Sequence, residues 1–413
     1  MLELLVIQPT ARCNLDCEYC YVPDRDDPTR LPTGLLELLF RAVARSRLTN
    51  GQKDLRVLWH AGEPLAAGLS FYREAFDLID EILDGRLNVH HSMQTNATLV
   101  TSAWCDFFRA RNVGIGVSLD GPPEIHDVNR KTRSGKGSFD AAMRGIEVLR
   151  AHGMGISVLC VLTSRNITRP DEMFEFFVES GFRHVAFNVE EIEGPNLRSS
   201  LIGNEGDLAS PRGHYRAFMG RMLQLNAAQG WPLIIRELVS IAQRMQGRRS
   251  DPAFVPAIAE QQAGAILTMA RNGVVSSWSP ELASGVPGAP DRFSLGSIRD
   301  VQSLDDLLTT ARAREIQSEI DLGVAACRRR CAYFGVCGGG SPGNKFYEAG
   351  TFTATQTLKC ALQTQAYRGR ARRVCTHQDR HCLVSSYPPA QGAPPTSEVA
   401  AGARRASELP QHR

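Results

Sequence analysis

Short apolar runs alternate with amphipathic stretches along the first half of the chain. Apolar runs of this length predict buried strands, and apolar residues spaced three or four apart predict helices between them. The predicted strands are Glu3–Gln8, Leu55–Trp59, Asn88–Met93, Gly114–Leu119, Ile156–Thr163 and Val185–Val189. The helical patterns between them include Gly34–Leu48, Phe71–Leu83, Thr101–Arg111, Phe139–His152 and Glu172–Ser180. This alternation predicts an α/β fold with a parallel sheet and right-handed crossovers.

The second half of the chain is patterned less regularly. Its predicted elements are one or two helices within 211–247, a hairpin of Ile266–Ala270 and Val274–Trp278, a helix from Ser303 to Ile320, and a cysteine-rich segment over 327–360. The hairpin is indicated by Asn272-Gly273, a pair typical of two-residue turns. Residues 383–413 are rich in Pro, Ala, Ser and Gly, which predicts a disordered tail.

Composition narrows the class of protein without identifying it. The 413 residues suit a large α/β domain with a second module. A hydrophobic fraction of 43% and a charged fraction of 22% are ordinary for globular proteins. The net charge of +3 indicates neither a nucleic-acid partner nor a membrane surface. Because no membrane span and no signal peptide are recognisable, a cytoplasmic location is predicted.

Three cysteines lie within eight residues after the first predicted strand. Cys13, Cys17 and Cys20 have the spacing C-x3-C-x2-C and are called the cysteine trio below. Three thiolates can hold three irons of a [4Fe–4S] cube and leave the fourth iron open to a reactant. Zinc is one alternative, but it prefers four ligands and no histidine is close in sequence to complete the set. A disulfide is the other, and it would leave one cysteine unpaired.

The spacing of the trio, with Tyr19 before its last cysteine, resembles the signature of the radical S-adenosylmethionine (SAM) enzymes. The resemblance implies that Cys13, Cys17 and Cys20 are catalytic and bind a [4Fe–4S] cluster whose open iron holds the methionine part of SAM. One electron then splits SAM into methionine and a 5′-deoxyadenosyl radical. The resemblance also implies that Tyr19 lies near the adenine and that the strands form a partial (β/α)6 TIM barrel.

A Gly-Glu-Pro turn follows the second predicted strand. Gly62, Glu63 and Pro64 resemble the motif that receives the methionine amino group of SAM in this family. Family members usually carry a further glycine before the turn, and here Ala61 stands in its place. The extra methyl group is expected to be tolerated if the backbone φ angle at Ala61 is negative.

Polar residues also follow the third and fourth predicted strands, and parallel sheets bind ligands at such strand ends. The resemblance implies SAM contacts from Gln94 and Asn96, and from Ser118 and Asp120. Arg130 is the candidate for the SAM carboxylate, because a guanidinium can grip a carboxylate with two hydrogen bonds. A plain turn at Asp120 and a surface ion pair at Arg130 are the alternatives.

Four later cysteines form a second group, Cys327, Cys331, Cys337 and Cys360, called the cysteine quartet below. Four thiolates complete a [4Fe–4S] site without an open iron, which suits electron transfer, and zinc is the alternative. The segment resembles the SPASM domain of radical SAM peptide maturases, which usually has cysteines for two auxiliary clusters. Because ligand positions for the inner cluster are empty, one auxiliary [4Fe–4S] cluster is predicted.

The strings CAYFGVCGGGSPGNKFYEAGTF and WSPEL and the core motifs resemble the cyclophane-forming radical SAM/SPASM peptide maturases of the Gly-rich-peptide type. This resemblance implies hydrogen abstraction, from Cβ of a ribosomally made precursor peptide, and a cross-link from that carbon to an aromatic ring. It implies a precursor peptide and an electron donor such as flavodoxin or ferredoxin as partners. The alternatives are a sulfatase-maturing enzyme, a thioether-forming maturase and a non-enzymatic leader-peptide-binding cluster module.

The predicted domain organisation follows from these motifs. The predicted units are a radical SAM partial barrel over 1–200, a helical linker over 201–255, a SPASM-like domain over 256–382 and the tail over 383–413. Some relatives bind a leader peptide as an added strand on an N-terminal domain. That domain is expected to be absent here, so the leader is expected to bind the SPASM-like half or a separate protein. Cys375 and Cys382 are expected to be spare thiols or unusual ligands. Glu281 is a candidate substrate contact, and a solvated helix start is the alternative.

Overall fold

The structure is a computed structural model that describes residues 1–202, 208–279 and 293–367. The strands in these ranges are β1 (Leu4–Ile7), β2 (Leu15–Cys17), β3 (Asp54–Trp59), β4 (Asn88–Thr95), β5 (Gly114–Ser118), β6 (Arg130–Thr132), β7 (Ile156–Leu162), β8 (His184–Val189), β9 (Ile234–Ile235), β10 (Ile266–Met269), β11 (Val274–Ser277) and β12 (Ser294–Ser297). The α-helices are α1 (Thr33–Arg45), α2 (Leu69–Leu83), α3 (Ser102–Ala110), α4 (Pro123–Asn129), α5 (Phe139–Ala151), α6 (Pro170–Glu179), α7 (Ala209–Ala228), α8 (Arg236–Ser250), α9 (Leu304–Leu308), α10 (Ala311–Arg330), α11 (Phe334–Cys337), α12 (Pro342–Ala349) and α13 (Leu358–Gln363). Within the described ranges, no helix is both long and apolar enough to cross a membrane.

The six predicted strands are neighbours in one sheet and confirm the predicted α/β fold. Their order is β1-β3-β4-β5-β7-β8, and every neighbouring pair among them is parallel. Each strand lies within two residues of its predicted bounds. Parallel pairing brings all their carboxyl ends to one edge of the sheet. The motifs that follow β3, β4 and β5 therefore lie side by side at this edge.

The sheet continues beyond the six strands at both ends. The predicted hairpin is confirmed as β10 and β11, which pair in antiparallel fashion. The hairpin joins the same sheet, because β10 lies parallel to β1 with Leu4 opposite Ile266. The short strand β9 extends the other end next to β8. The chain beyond residue 255 is thus attached to the first strand through backbone hydrogen bonds.

The predicted helix from Ser303 to Ile320 is two helices, α9 and α10. Thr310 separates them: it adopts an extended conformation, and its hydroxyl accepts a hydrogen bond from the backbone N–H of Ala313. A side chain that caps a helix N-terminus in this way starts a new helix. The apolar periodicity continues across the break, which is why the sequence pattern predicted one helix.

The interior of the first half is built around a group of buried aromatic rings. Trp59 at the end of β3 stacks on Phe76, and its indole N–H donates to Nδ1 of His91 at 3.2 Å. His91 is 8% exposed and lies over Phe76 with ring centroids 3.8 Å apart. The imidazole is therefore a neutral hydrogen-bond acceptor in the core, and burial lowers its pKa to about 3.

His91 is expected to make the fold sensitive to mild acid. The unfolded chain binds a proton at this imidazole near pH 6.5, while the folded chain does not, so stability falls as pH drops below 6.5 by about 1.4 kcal/mol per unit. In anaerobic urea unfolding of the iron-loaded protein at pH 7.5 and 5.5, His91→Gln is expected to reduce the stability difference by about 1.4 kcal/mol. His90→Gln is the control, because His90 is exposed and contacts Asp54. An identical pH dependence in wild type and His91→Gln would contradict this prediction.

Candidate active site

The loop that carries the cysteine trio lies across the carboxyl edge of the sheet. The backbone N–H of Glu63, after β3, donates to the Arg12 carbonyl at 2.9 Å. The amide of Asn96, after β4, donates to Asn14 Oδ1 at 2.9 Å and lies 3.8 Å from Cys13 Sγ. Two neighbouring strand ends therefore hold the loop, and they carry the residues that sequence analysis assigned to SAM binding.

A two-stranded sheet fixes the other side of the loop. Strand β2 pairs with β6 in antiparallel fashion, and Cys17 lies opposite Arg130. The sequence pattern did not predict this pairing, because each strand is three residues long. The pairing brings Arg130 to the trio although it follows Cys17 by more than a hundred positions.

Two thiols of the trio, those of Cys13 and Cys17, have a raised pKa. Burial, helped by the charge of Glu63, raises the pKa of Cys13 to about 12. Burial also raises the pKa of Cys17 to about 11, although the nearby Arg130 lowers it. The three thiols are free and close enough to affect one another electrostatically. Iron loading must therefore release protons, which makes it favourable at higher pH.

Gly62 and Glu63 pack the Gly-Glu-Pro turn against the cysteine loop. Gly62 has φ 57, and a Cβ there would lie 2.6 Å from the carbonyl oxygens of Ala11 and Arg12. The buried carboxylate of Glu63 accepts hydrogen bonds from the Leu65 N–H at 3.0 Å, the Thr95 hydroxyl at 2.7 Å and the Asn96 N–H at 2.8 Å. The turn thus links the ends of β3 and β4 beneath the trio.

Pro64 and Ala61 flank the Gly62-Glu63 pair. Pro64 begins a short 3-10 helix, and its carbonyl accepts a hydrogen bond from the Tyr72 hydroxyl at 3.0 Å. Ala61 has φ 78, so the condition of a negative φ, under which the methyl group is expected to be tolerated, is not met. A left-handed alanine costs on the order of 1 kcal/mol. Its methyl group packs with Ala11 and Val22, which offsets part of that strain.

Asp120, Arg130 and Tyr19 form one buried network beside the trio. Asp120 is fully buried and accepts hydrogen bonds from the Tyr19 hydroxyl, from Arg130 Nη2 at 3.2 Å and from the Val161 N–H at 3.0 Å. Arg130 Nε lies 3.0 Å from Asp120 Oδ2, and its guanidinium lies 5.4 Å from the centre of the Tyr19 ring. Arg130 is thus paired with Asp120, and its contact with the SAM carboxylate stays a prediction.

Gln94 and Ser118 form a smaller polar pair on the same side of the sheet. The amide of Gln94 donates to the Ser118 hydroxyl at 2.9 Å, and both side chains are partly exposed. Gly116 leaves room for them, because a Cβ there would lie 2.1 Å from Gln94 Oε1. The Gln94–Ser118 pair thus lies on β4 and β5, the two strands that Asn96 and Asp120 follow.

The cysteine quartet lines a single cavity in the second half of the chain. The cavity encloses about 330 Å³ of space free of protein atoms, part of it open to solvent, and Lys345 and Ser341 also line it. The Cys360 thiol donates a hydrogen bond to the Cys337 sulfur, which lowers the pKa of Cys337 to about 6 and raises that of Cys360. All four thiols are free.

The donor set of the quartet fits an iron–sulfur cluster, because four thiols line one cavity. A tetrahedral zinc ion is the alternative that four thiols also suit. Cys327, Cys331, Cys337 and Cys360 are therefore the residues that would hold an auxiliary cluster.

One loop contacts both cysteine sites without any signal in the sequence pattern. This loop, residues 190–201, follows β8 and is called the β8 loop. Its Gly194 packs on the cysteine loop, where a Cβ would lie 2.4 Å from the Tyr21 carbonyl oxygen. Its Glu191 accepts a hydrogen bond from Asn344 at 2.5 Å and pairs with Lys359 at 3.0 Å, next to Cys360. Acidic residues after a strand gave no signal of this contact.

Some predicted features lie outside the described residues. They are Glu281, Cys375, Cys382 and the tail over 383–413.

The fold and the cysteine loop together define the class of protein. A family model of the radical SAM superfamily matches residues 7–177. An uncharacterized protein of Synechocystis sp. is 39% identical over 373 residues, which cover 88% of this chain and 89% of the relative. The chain belongs to the radical SAM superfamily, and it is an enzyme of the class that binds a [4Fe–4S] cluster and SAM.

Relatives with a named activity match part of the chain. The serine-type anaerobic sulfatase-maturating enzyme of Bacteroides thetaiotaomicron is 37% identical over 219 residues, 50% of this chain and 52% of that enzyme. This chain thus spans about half the length of that relative.

Two solved structures share the fold. The structure of native anSMEcpe with bound AdoMet and Cp18Cys peptide has a TM-score of 0.71 and 21% identity, and the match covers 90% of this chain and 97% of that one. Streptococcus suis SuiB bound to precursor peptide SuiA has a TM-score of 0.53 and 15% identity over 84% of this chain and 73% of that one. Identities this low establish similarity of fold alone.

Proposed function

We propose that this enzyme modifies a ribosomally made precursor peptide and joins an aromatic ring carbon to a Cβ atom, forming a cyclophane. The observation that carries the proposal is the pair of cysteine sites joined by the β8 loop. Gly194 contacts the loop of the trio, and Glu191 contacts the segment of the quartet. An oxidative cross-link needs a site that starts a radical and a site that removes an electron, and the trio and the quartet would fill these two roles.

The residues of the chain hold and shape these sites. When bound, a [4Fe–4S] cluster with SAM at the trio and one auxiliary [4Fe–4S] cluster at the quartet would supply a 5′-deoxyadenosyl radical and an acceptor for the electron released on bond formation. Glu63 and Asn96 fix the cysteine loop on the sheet. Asp120 fixes Tyr19 and Arg130 beside it. Rigid placement of this kind is what positions a substrate carbon for attack.

The peptide substrate is supported by the nature of the structural neighbours. The two similar structures were solved with a Cp18Cys peptide and with a precursor peptide. We extend a peptide substrate to this chain because it shares the fold of both structures over most of its length. We also propose that residues 256–382 form a SPASM-like domain and that the domain limits are those predicted from the sequence.

A second candidate function is the oxidation of a serine or cysteine to formylglycine. The similarity to a sulfatase-maturating enzyme over half of the chain favours it. Both reactions remove two hydrogens when the target is serine, so mass alone does not separate them. Formylglycine contains an aldehyde, whereas a cyclophane contains none.

The test is anaerobic co-expression with candidate precursor peptides encoded next to this gene. The expected product has lost two hydrogens, shows a new link between two residues on fragmentation and does not react with a hydrazide. Release of 5′-deoxyadenosine is expected with the wild type and absent with Cys13→Ala. A hydrazide-reactive product would support the second candidate, and unchanged peptides with no 5′-deoxyadenosine would contradict both.

The electron donor is proposed to be an acidic protein such as flavodoxin or ferredoxin. Four exposed arginines lie on the two helices next to α11, which carries Cys337: Arg248 on α8, and Arg328, Arg329 and Arg330 at the end of α10. A Cβ at Gly335 would lie 2.8 Å from Arg248 Cζ, and Arg328 lies 5.0 Å from the Phe334 ring centre. None of the four is in an ion pair with another described residue. Such a patch attracts an acidic partner.

Charge reversal in this patch is expected to weaken the donor's action. Arg248→Glu with Arg328→Glu is expected to raise the KM for reduced flavodoxin about tenfold at low salt. Turnover with dithionite should stay unchanged, since that small reductant needs no docking surface. Arg73→Glu is the control, because Arg73 is exposed on α2, outside the patch. Equal KM values in the patch variant and the control would contradict this docking site.

A further inference from the structure

Lys345 is a buried lysine in the cavity of the cysteine quartet. The residue lies on α12, is 4% exposed, and its Nζ lies 3.5 Å from Cys327 Sγ. Lysine is almost never buried without a partner, because an ammonium loses its hydration there. Among the described residues, no carboxylate lies within ion-pair distance of Lys345. The Cys327 sulfur, which would carry negative charge once it ligates a cluster, is therefore the group that would balance this ammonium.

The fold makes room for this ammonium at one position. Gly323 lies inside α10, where a Cβ would be 2.1 Å from the Phe352 carbonyl oxygen and 3.3 Å from Lys345 Nζ. A glycine within a helix costs about 1 kcal/mol relative to alanine. That cost is tolerated where the helix must come close to other groups. The packing around Gly323 thus keeps the Lys345 ammonium buried and away from solvent.

We propose that Lys345 raises the reduction potential of the auxiliary cluster held by the quartet, an inference that rests on the proposed function. Reduction adds one electron and no proton, so the cluster becomes more negative. A fixed positive charge in a dry pocket stabilises that extra negative charge more than it does the oxidised form. Lys345 thereby favours transfer of the electron from the peptide radical to this site.

Lys359 provides the matched control. It is the residue before Cys360, yet its ammonium pairs with Glu191 at 3.0 Å and is 36% exposed. Both lysines can be replaced by methionine, which has similar length and no charge. If nearness in sequence to a ligand were sufficient, both replacements would act alike. If buried charge is the cause, only the Lys345 replacement will act.

The experiment measures potential, which a purely structural role would not change. The full chain with all three trio cysteines replaced by alanine carries the quartet alone and is loaded with iron and sulfide anaerobically. A redox titration followed by electron paramagnetic resonance then gives the midpoint. Lys345→Met is expected to disfavour reduction at least tenfold, a shift of 59 mV or more for one electron. Lys359→Met is expected to change the equilibrium less than threefold.

The outcomes separate this inference from the proposed function. If the trio-free chain binds no iron, or binds zinc in preference, the auxiliary cluster itself is refuted. If it binds a cluster whose midpoint is the same with Lys345→Met, the inference about Lys345 is overturned while the cluster stands. Lys345→Gln is the second neutral variant. Loss of iron in both neutral variants would assign Lys345 to cluster assembly and would also overturn the inference.

Discussion

Gly62→Ala is expected to empty the site of the cysteine trio while the quartet stays loaded. The added Cβ would lie 2.6 Å from the carbonyl oxygens of Ala11 and Arg12, directly before Cys13. Backbone atoms cannot rotate away as a flexible side chain does, so the cysteine loop must move. Three thiolates bind a cluster only in the correct arrangement. Anaerobic iron analysis is expected to fall from about eight to about four iron atoms per chain.

Gly153→Ala is the matched control for this result. Gly153 has φ 71, close to that of Gly62, but a Cβ there meets nothing within 4 Å. The control therefore carries the cost of a left-handed alanine, about 1 kcal/mol, without the collision. Full iron content is expected for it. If Gly62→Ala also kept full iron and bound SAM normally, the cysteine loop would not rest on this turn as the structure places it.

The strands and the motifs were predictable because their signals are local. Each barrel strand is a short apolar run, and Gly62, Glu63 and Asn96 follow strands directly. Because the carboxyl ends of parallel strands lie at one edge of the sheet, residues that directly follow neighbouring strands lie close together in space. The trio and the quartet were recognisable because the ligand geometry of a cluster restricts the spacing of its cysteines along the chain.

What the sequence left open depends on contacts between distant segments. Strand β10 pairs with β1, and β2 pairs with β6, although neither pairing has a signal in its own residues. The burial of Lys345 was equally hidden, since a lysine in a polar stretch normally lies in solvent. Its position depends on α10 coming close at Gly323. Such contacts are properties of packing, which apolar periodicity does not encode.

The β8 loop contacts both cysteine sites. It begins where β8 ends. Its Gly194 contacts the loop of the trio, and its Glu191 contacts the segment of the quartet. Neither contact has a signal in residues 190–201 themselves, because both depend on segments that are far away along the chain.

Asp120→Asn is expected to destabilise the protein strongly. The change keeps the shape of the side chain but removes its charge, which leaves the 7% exposed Arg130 without its counter-ion. Breaking one partner of a buried ion pair costs about 3–5 kcal/mol. The measurement is anaerobic urea unfolding of the iron-loaded protein. Asp171→Asn is the control, because Asp171 pairs with Arg221 while both are about half exposed, and it is expected to cost at most about 1 kcal/mol.

A double substitution separates the two roles that Arg130 could have. Asp120→Asn with Arg130→Met removes both charges, so its cost should fall at least about 2 kcal/mol short of the sum of the single costs. If Arg130 serves only to pair with Asp120, all three variants should bind SAM with the same reduced affinity. If its guanidinium also holds the SAM carboxylate, Arg130→Met will bind SAM more weakly than Asp120→Asn. A cost below about 1 kcal/mol for Asp120→Asn would mean that the buried network is not formed, and with it the hydrogen bond that holds Tyr19.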